Sequence, residues 1–486
     1  MTVNKLRLIS IATISTLSIN SAMALPIDWN GTFGVDTHLL NIVCRTNDNV
    51  ADTNNGTQGI SGDCDASFQT YIMKLNPQII VNDGVTLKGE ISSGYLRGGF
   101  LGDNATGSED GTRSNSYFHT TPAQRSALNL NQMYMELFAD TALVKIGRMS
   151  KNYGLGVVWN NGGKAWDRFF TMYDGIEGEM RIGNFSLVPA YAKISSYNND
   201  AGRSQPNGSS DVRETSVVAK YDNKNRDLVV SLLYGKRFSE RQNSLYQGSD
   251  ATQSPDTGKT DITIIDPYVS KKWGKLQVAA EAPMITGDYG DIFDDNKNTK
   301  ISVQAYILEA KYDLNPKWEL GLNAGQASGD AGSTNKFEAM YLHPNYQIAN
   351  LMFRYNYAAF NEGGKNIFDS SIMNARYFQL YTNYKTDKWT WKGSFIMANA
   401  METAKAGDTS SYHHEEGYKF TANADQDANL GWELDFGFDY YWNPNVIITG
   451  YYGYWVLGDY YSFTNTTTNL SLANVHGGGL RATLEF

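Results

Sequence analysis

Leu430-Gly431-Trp432-Glu433-Leu434-Asp435-Phe436-Gly437-Phe438-Asp439-Tyr440-Tyr441-Trp442 alternates between large apolar or aromatic side chains and acids, glycine or tyrosine. Successive side chains of a strand point to opposite faces. One face therefore carries Leu430, Trp432, Leu434, Phe436, Phe438, Tyr440 and Trp442, and the other carries Glu433, Asp435 and Asp439. An unbroken aromatic face backed by charge suits a wall with lipid on one side and water on the other.

The same pattern recurs along the chain. Residues 389–397 set Trp389, Trp391, Phe395 and Met397 outward and Lys392 inward, and residues 175–182 set Ile176, Met180 and Ile182 outward with Glu177, Glu179 and Arg181 inward. The last segment, 480–486, places Leu480, Ala482, Leu484 and Phe486 on one face and Arg481, Thr483 and Glu485 on the other. A strand ending on an aromatic residue suits recognition by a barrel-assembly machinery. At the other end, Lys5 and Arg7 precede an apolar stretch, 8–19, and then Ala22-Met23-Ala24. That stretch is too short to span a bilayer, so residues 1–24 read as a cleaved export signal and 25–486 as one barrel.

Composition agrees. The chain has 31 Tyr, 10 Trp and 46 Gly, without a composition break that would mark a linker. Alternating lipid-facing and lumen-facing residues, with aromatic girdles, give this average. A net charge of -10 disfavours a nucleic-acid partner. Short connections rich in Gly, Asn, Asp and Pro fall at 81–84, 139–141, 183–184, 222–225, 271–275, 315–316, 386–387 and 443–445. Long polar connections at 97–127, 150–173, 239–259 and 401–429 alternate with them. Eight short turns imply nine hairpins and an all-β, antiparallel transmembrane barrel of eighteen strands. The apolar stretch 337–360 leaves two alternatives. Either His343-Pro344-Asn345 is a ninth turn and the strands number twenty, or the stretch folds inward against the wall.

Catalytic groupings are lacking: the chain has no Gly-x-Ser-x-Gly elbow and no phosphate-cradling loop, and its six histidines are scattered. The expectation is no enzyme, no metal and no cofactor. His413-His414-Glu415-Glu416 reads as a solvated loop tip, because adjacent side chains on extended chain diverge. Asp288 to Asp295 reads as a soluble acidic loop. The expected pore lining is Lys145, Glu177, Glu179, Arg181, Lys392, Glu433, Asp435 and Asp439, with acids in slight excess. Charges inside a barrel need water or partners, and eighteen strands leave room for a channel. The Gly-hinged loop 147–173, with Arg148, Trp159, Lys164, Trp166 and Arg168, suits a constriction folded into the mouth.

Gly147-Arg148 through Gly154-Leu155-Gly156, Tyr173-Asp174-Gly175-Ile176-Glu177, Gly431-Trp432-Glu433-Leu434-Asp435 and the Tyr451 to Tyr460 stretch resemble the alginate-export and related porin-like barrels of Gram-negative bacteria. That resemblance implies an eighteen-strand barrel in the cell outer membrane, carrying small or saccharide solutes. It places Arg148, Glu177, Glu433 and Asp435 at the lumen or mouth. Exporting a polyanion calls for a basic channel, whereas the inward set here leans acidic. The resulting expectation is a porin passing small hydrophilic solutes with mild cation preference, as monomer or homotrimer among membrane lipid and lipopolysaccharide. The alternatives are a saccharide channel and a closed adhesive or structural barrel.

Cys44 and Cys64 are the only cysteines. In an exported chain they are expected to form a disulfide across the loop after the first strand, contributing roughly 3 kcal/mol by chain entropy. Non-reducing peptide mapping should recover one Cys44–Cys64 linked pair; two free thiols would remove the bridge from the account.

Overall fold

A computed structural model describes residues 26–41, 65–94, 97–101, 128–195, 212–239, 259–290, 298–360 and 366–486. Cys44, Cys64 and the export signal lie outside the described residues. Twenty-one hydrogen-bonded segments, all antiparallel but the short Lys336–Phe337, form one sheet that closes where Thr32–Asn41 pairs with His476–Glu485. Two of these segments continue a strand across an interruption: Gly98–Phe100 extends Val85–Ser93, and Met284–Gly290 extends Leu276–Glu281. A third is the two-residue stub Lys336–Phe337, so the wall has eighteen strands.

All eight short connections join consecutive wall strands at the same end. Those at Gly183 and Gly274 need glycine for its backbone freedom, since φ is +61° and +57° there and a Cβ would meet no neighbour. The outward face is apolar: Trp391, Phe436, Leu480 and Phe185 are all exposed. Close to the turns, Trp389 lies 4.5 Å from Tyr440 and 5.3 Å from Trp391, centroid to centroid, part of an aromatic girdle. A closed barrel with a continuous apolar exterior is stable only in a bilayer, where every backbone group must be paired within the protein. The fold therefore defines a transmembrane β-barrel.

Much of the lumen is filled by protein. Ile262 and Ile264 of the strand Asp261–Trp273, and Ile301, Val303 and Ile307 of Thr299–Asp313, are buried on the inward face. Phe337, Met340, Leu342, Tyr346 and Ile348 pack against them. Residues 328–360, which follow the strand Trp318–Ala327, thus fold into the barrel, and that strand pairs directly with Ala375–Lys385. This decides the strand count. His343-Pro344-Asn345 makes a turn inside the lumen, closed by the Tyr346 amide donating to the His343 carbonyl at 2.8 Å. Leu342, Leu351 and Met352 are almost wholly buried, worth roughly 1.5–3 kcal/mol each.

A local bulge corrects one assignment in the stretch 430–442. The register between Trp389–Ala400 and Asn429–Asn443 shifts at Ala398/Asn399, with Gly431 at φ +95°. Leu430 consequently joins the interior cluster, while Trp432 stays outside.

Candidate functional site

The loop after the strand Ala142–Ser150, residues 151–171, enters the lumen and is clamped at both ends. Lys151 is buried, ion-paired to Glu214 at 3.0 Å, with its ammonium 4.3 Å from the Trp159 ring and 4.2 Å from the Tyr173 ring. Arg97, also buried, forms a bidentate pair with Glu90 at 2.7 and 2.8 Å. The same guanidinium donates to the carbonyls of Gly162 at 2.9 Å and Asp167 at 3.2 Å. Gly162 has φ +64°, and a Cβ there would collide with that guanidinium. A single side chain thus ties the loop to the wall by charge-assisted bonds.

A second anchor holds the segment 328–360. Glu433 is fully buried and accepts the backbone N–H groups of Asn350 at 3.0 Å, Leu351 at 2.8 Å and Met352 at 2.7 Å. Asp435 takes the Asn350 N–H at 3.1 Å and the Ser394 hydroxyl at 3.2 Å. Three successive amides with no strand partner are thereby satisfied without water. Toward the open end His414 is buried too. It accepts the Asp330 N–H at 2.9 Å and contacts the Asn374 amide at 3.1 Å, and burial lowers its pKa to about 3. The 413–416 stretch is therefore a packed pin, not a solvated tip.

What remains of the lumen is a vestibule toward the turn end. One cavity of about 490 Å³ is bordered by Lys164, Trp166, Arg168 and Phe368 and by the acids Asp36, Asp167 and Glu485. A neighbouring one of about 330 Å³ reaches Asn350, Gln379 and Ser394. The two share Arg354, Lys392, Thr449 and Arg481. Asp36 answers Arg481 at 2.7 Å, and Asp439 answers Lys392 at 2.6 Å. Lys164, Arg168 and Arg354 have no carboxylate within ion-pair distance among the described residues. Among the described residues the Arg168 guanidinium donates to the Tyr71 carbonyl alone, at 3.4 Å, and its Nη2 is buried without a hydrogen-bond partner. Aromatic faces flank these cations. Phe368 lies 4.4 Å from the Arg168 guanidinium, Tyr451 5.0 Å from Arg354, and Trp166 4.2 Å from Arg481.

Several expected site residues are placed differently. Glu433 does not line water; it caps the infolded segment. Arg148 lies on the outer face of the wall, bonded to Asp174 at 2.7 and 2.9 Å, because the strand runs on to Ser150 before the loop begins. Lys145 and Glu177 pair with each other at 3.0 Å, and Glu179 pairs with Arg181 at 2.6 Å close to the turn end. Asp435, Lys392 and Asp439 border the cavities. Of the loop residues, Trp159 is buried against Lys151. Lys164, Trp166 and Arg168 face the vestibule, and the Trp166 indole N–H donates to the Thr483 hydroxyl at 2.8 Å. Sequence reasoning did not single out Arg97, Lys151, Glu214, Asp36 or Arg354. Asp36 had a local signal, an inward position on an alternating strand; the others lie in loops or find partners far along the chain.

No protein-family profile matches the chain, so the alginate-export resemblance gains no support there, and no curated protein matches it. Among solved structures the chain is similar to Pseudomonas aeruginosa OccK11 (OpdR), at 12% identity, covering 94% of this chain and 96% of that one, TM-score 0.46. It is similar also to OccK2 (OpdF) of that organism in complex with glucuronate, at 11%, 94% and 96%, TM-score 0.49. A third is OpdK with vanillate, at 12%, 94% and 98%, TM-score 0.47. The barrel assignment stands on the strand register described above.

Replacing Arg97 by Met strands Glu90 in the wall and frees the loop carbonyls. The expected loss is about 3–5 kcal/mol, the usual consequence of breaking a buried pair by removing one partner. Urea titration of the folded barrel in detergent checks it; an unchanged midpoint would contradict the clamp.

Proposed function

We propose that the protein is an outer-membrane channel for small hydrophilic solutes, with anionic solutes favoured. The observation that carries this is the vestibule lined by Lys164, Arg168 and Arg354 without carboxylate partners. Cations inside low-dielectric walls concentrate anions and speed their entry. The acids from which a mild cation preference was expected include Glu433 and Asp435, and both are engaged by the backbone amides of the infolded segment. In this reading residues 1–24 direct export and are removed, and 25–486 form the barrel. The short turns face the periplasm, and the C-terminal strand is what the assembly machinery recognises.

A saccharide channel is the second reading. Trp166, Phe368 and Tyr451 offer aromatic faces beside polar groups in the same vestibule, which suits sugar rings and favours acidic sugars over neutral ones.

Reversal potential in a planar bilayer under a KCl gradient tests the proposal. The wild-type channel should prefer chloride. Replacing Lys164, Arg168 and Arg354 together by Gln should remove most of that preference while leaving conduction intact. Cation preference in the wild type would overturn the reading, and a silent barrel would favour a closed, structural role.

A further inference from the structure

Asp266 is wholly buried, and neither of its carboxylate oxygens has a hydrogen-bond partner among the described residues. Glu281, buried as well, adjoins it. Its Oε2 accepts the Leu155 N–H of the infolded loop, and its Oε1 has no partner. No Lys, Arg or His among the described residues pairs with either acid. The other buried acids differ. Asp36, Glu90, Glu136, Glu214 and Glu319 each answer a Lys or Arg. Asp167, Asp330, Glu433 and Asp435 accept backbone amides. Two carboxyl groups in contact away from water repel when both are ionised, and buried atoms left without partners point to a missing ion or water.

The pair stands where the wall is interrupted. The strand Asp261–Trp273 pairs through Tyr268 with Glu281 and through Ile265 with Met284, so Asp266-Pro267 faces Ala282-Pro283. From inside, the loop presses on the same place. Gly154 has φ +54°, and a Cβ there would overlap the Glu281 carboxyl. The Tyr153 hydroxyl donates to the Asp266 carbonyl at 2.7 Å, and the Ser231 hydroxyl donates to that of Tyr153 at 3.1 Å. Neutral oxygens thus stand beside the charged ones, and among the described residues no histidine or cysteine joins the two acids in a cluster. No sequence motif announces this grouping, because the acids lie on separate strands and the loop meets them from a third place in the chain.

We infer that Asp266 and Glu281 hold a calcium ion. Calcium takes oxygen ligands alone, in flexible geometry, and accepts carboxylates through one oxygen or two. Asp266 has both oxygens to give, and Glu281 has Oε1. Magnesium keeps several waters in a strict octahedron, which suits this packed junction less. The ion offsets the two negative charges and ties Tyr153, Gly154 and Leu155 to the wall, a third fastening of the loop beside Lys151 and Arg97. The inference does not depend on conduction.

Equilibrium dialysis against radioactive calcium tests it, with the barrel refolded in detergent free of lipopolysaccharide. Wild type should bind a single Ca²⁺ per chain. D266N and E281Q should each weaken that binding at least about tenfold, the loss of one of two charged ligands. D288N, which alters an acid paired with Lys300 elsewhere on the barrel, should bind as wild type does. Folding of every variant is checked by heat-modifiable gel migration. Calcium should raise the temperature of that migration change in the wild type and leave it unmoved in the D266N/E281Q double variant. Absence of saturable binding, or undiminished binding in the folded double variant, would overturn the site. So would a wild type whose stability follows pH and ignores calcium, which would mean that the two acids share a proton instead. Magnesium competing as well as calcium would overturn the choice of ion.

Discussion

Closing the sheet between Thr32–Asn41 and His476–Glu485 leaves no unpaired strand edge against lipid, and the other features follow from that constraint. A bilayer offers no hydrogen bonds, so each wall strand must pair on both sides. With both sides paired, side chains point only outward or inward. The outward set is free to be apolar, and the inward set must be wetted or covered. Eighteen strands enclose more space than inward side chains alone can fill, so the lumen takes in chain from two connections.

That infolded chain brings backbone with it. Amides removed from water need acceptors, and the wall supplies them from inward acids. Glu433 takes three successive N–H groups of the segment 328–360. Glu281 accepts the Leu155 N–H of the first loop, and Glu90 holds that loop through Arg97. Inward carboxylates are therefore spent largely on structure. Of the cations brought by the infolded chain itself, Lys164 and Arg354 border the remaining cavities, and Arg168 is buried at their edge. This division leaves three vestibule cations without an ion-pair carboxylate among the described residues, in a chain of net charge -10.

The wall was legible in the sequence because its signals are local. Turn residues marked all eight short connections, and strict alternation placed Trp432, Trp391 and Lys392 on their correct faces. The lumen was less legible because its contacts join distant parts of the chain. Alternation put Glu433 inside correctly but could not show that Leu351 and Met352 would meet it there. Arg148 was assigned to a loop because Gly147 resembled a hinge, yet the strand continues through that glycine at φ +135°. Ile262, Ile264, Ile301 and Val303 face the infolded chain, but they alternate with Asp261, Thr263, Lys300, Ser302 and Gln304, so the local pattern did not separate an inward path of 337–360 from a ninth turn.

The central claim is that the lumen is narrowed by chain held on wall carboxylates. The unit conductance of Glu433→Ala, compared with wild type in the same bilayer, tests it most directly. The account predicts small, steady openings for the wild type and larger, noisier ones for the variant, because Asn350 to Met352 lose their acceptor and the segment leaves the wall. A folded variant with conductance and noise equal to wild type would contradict it.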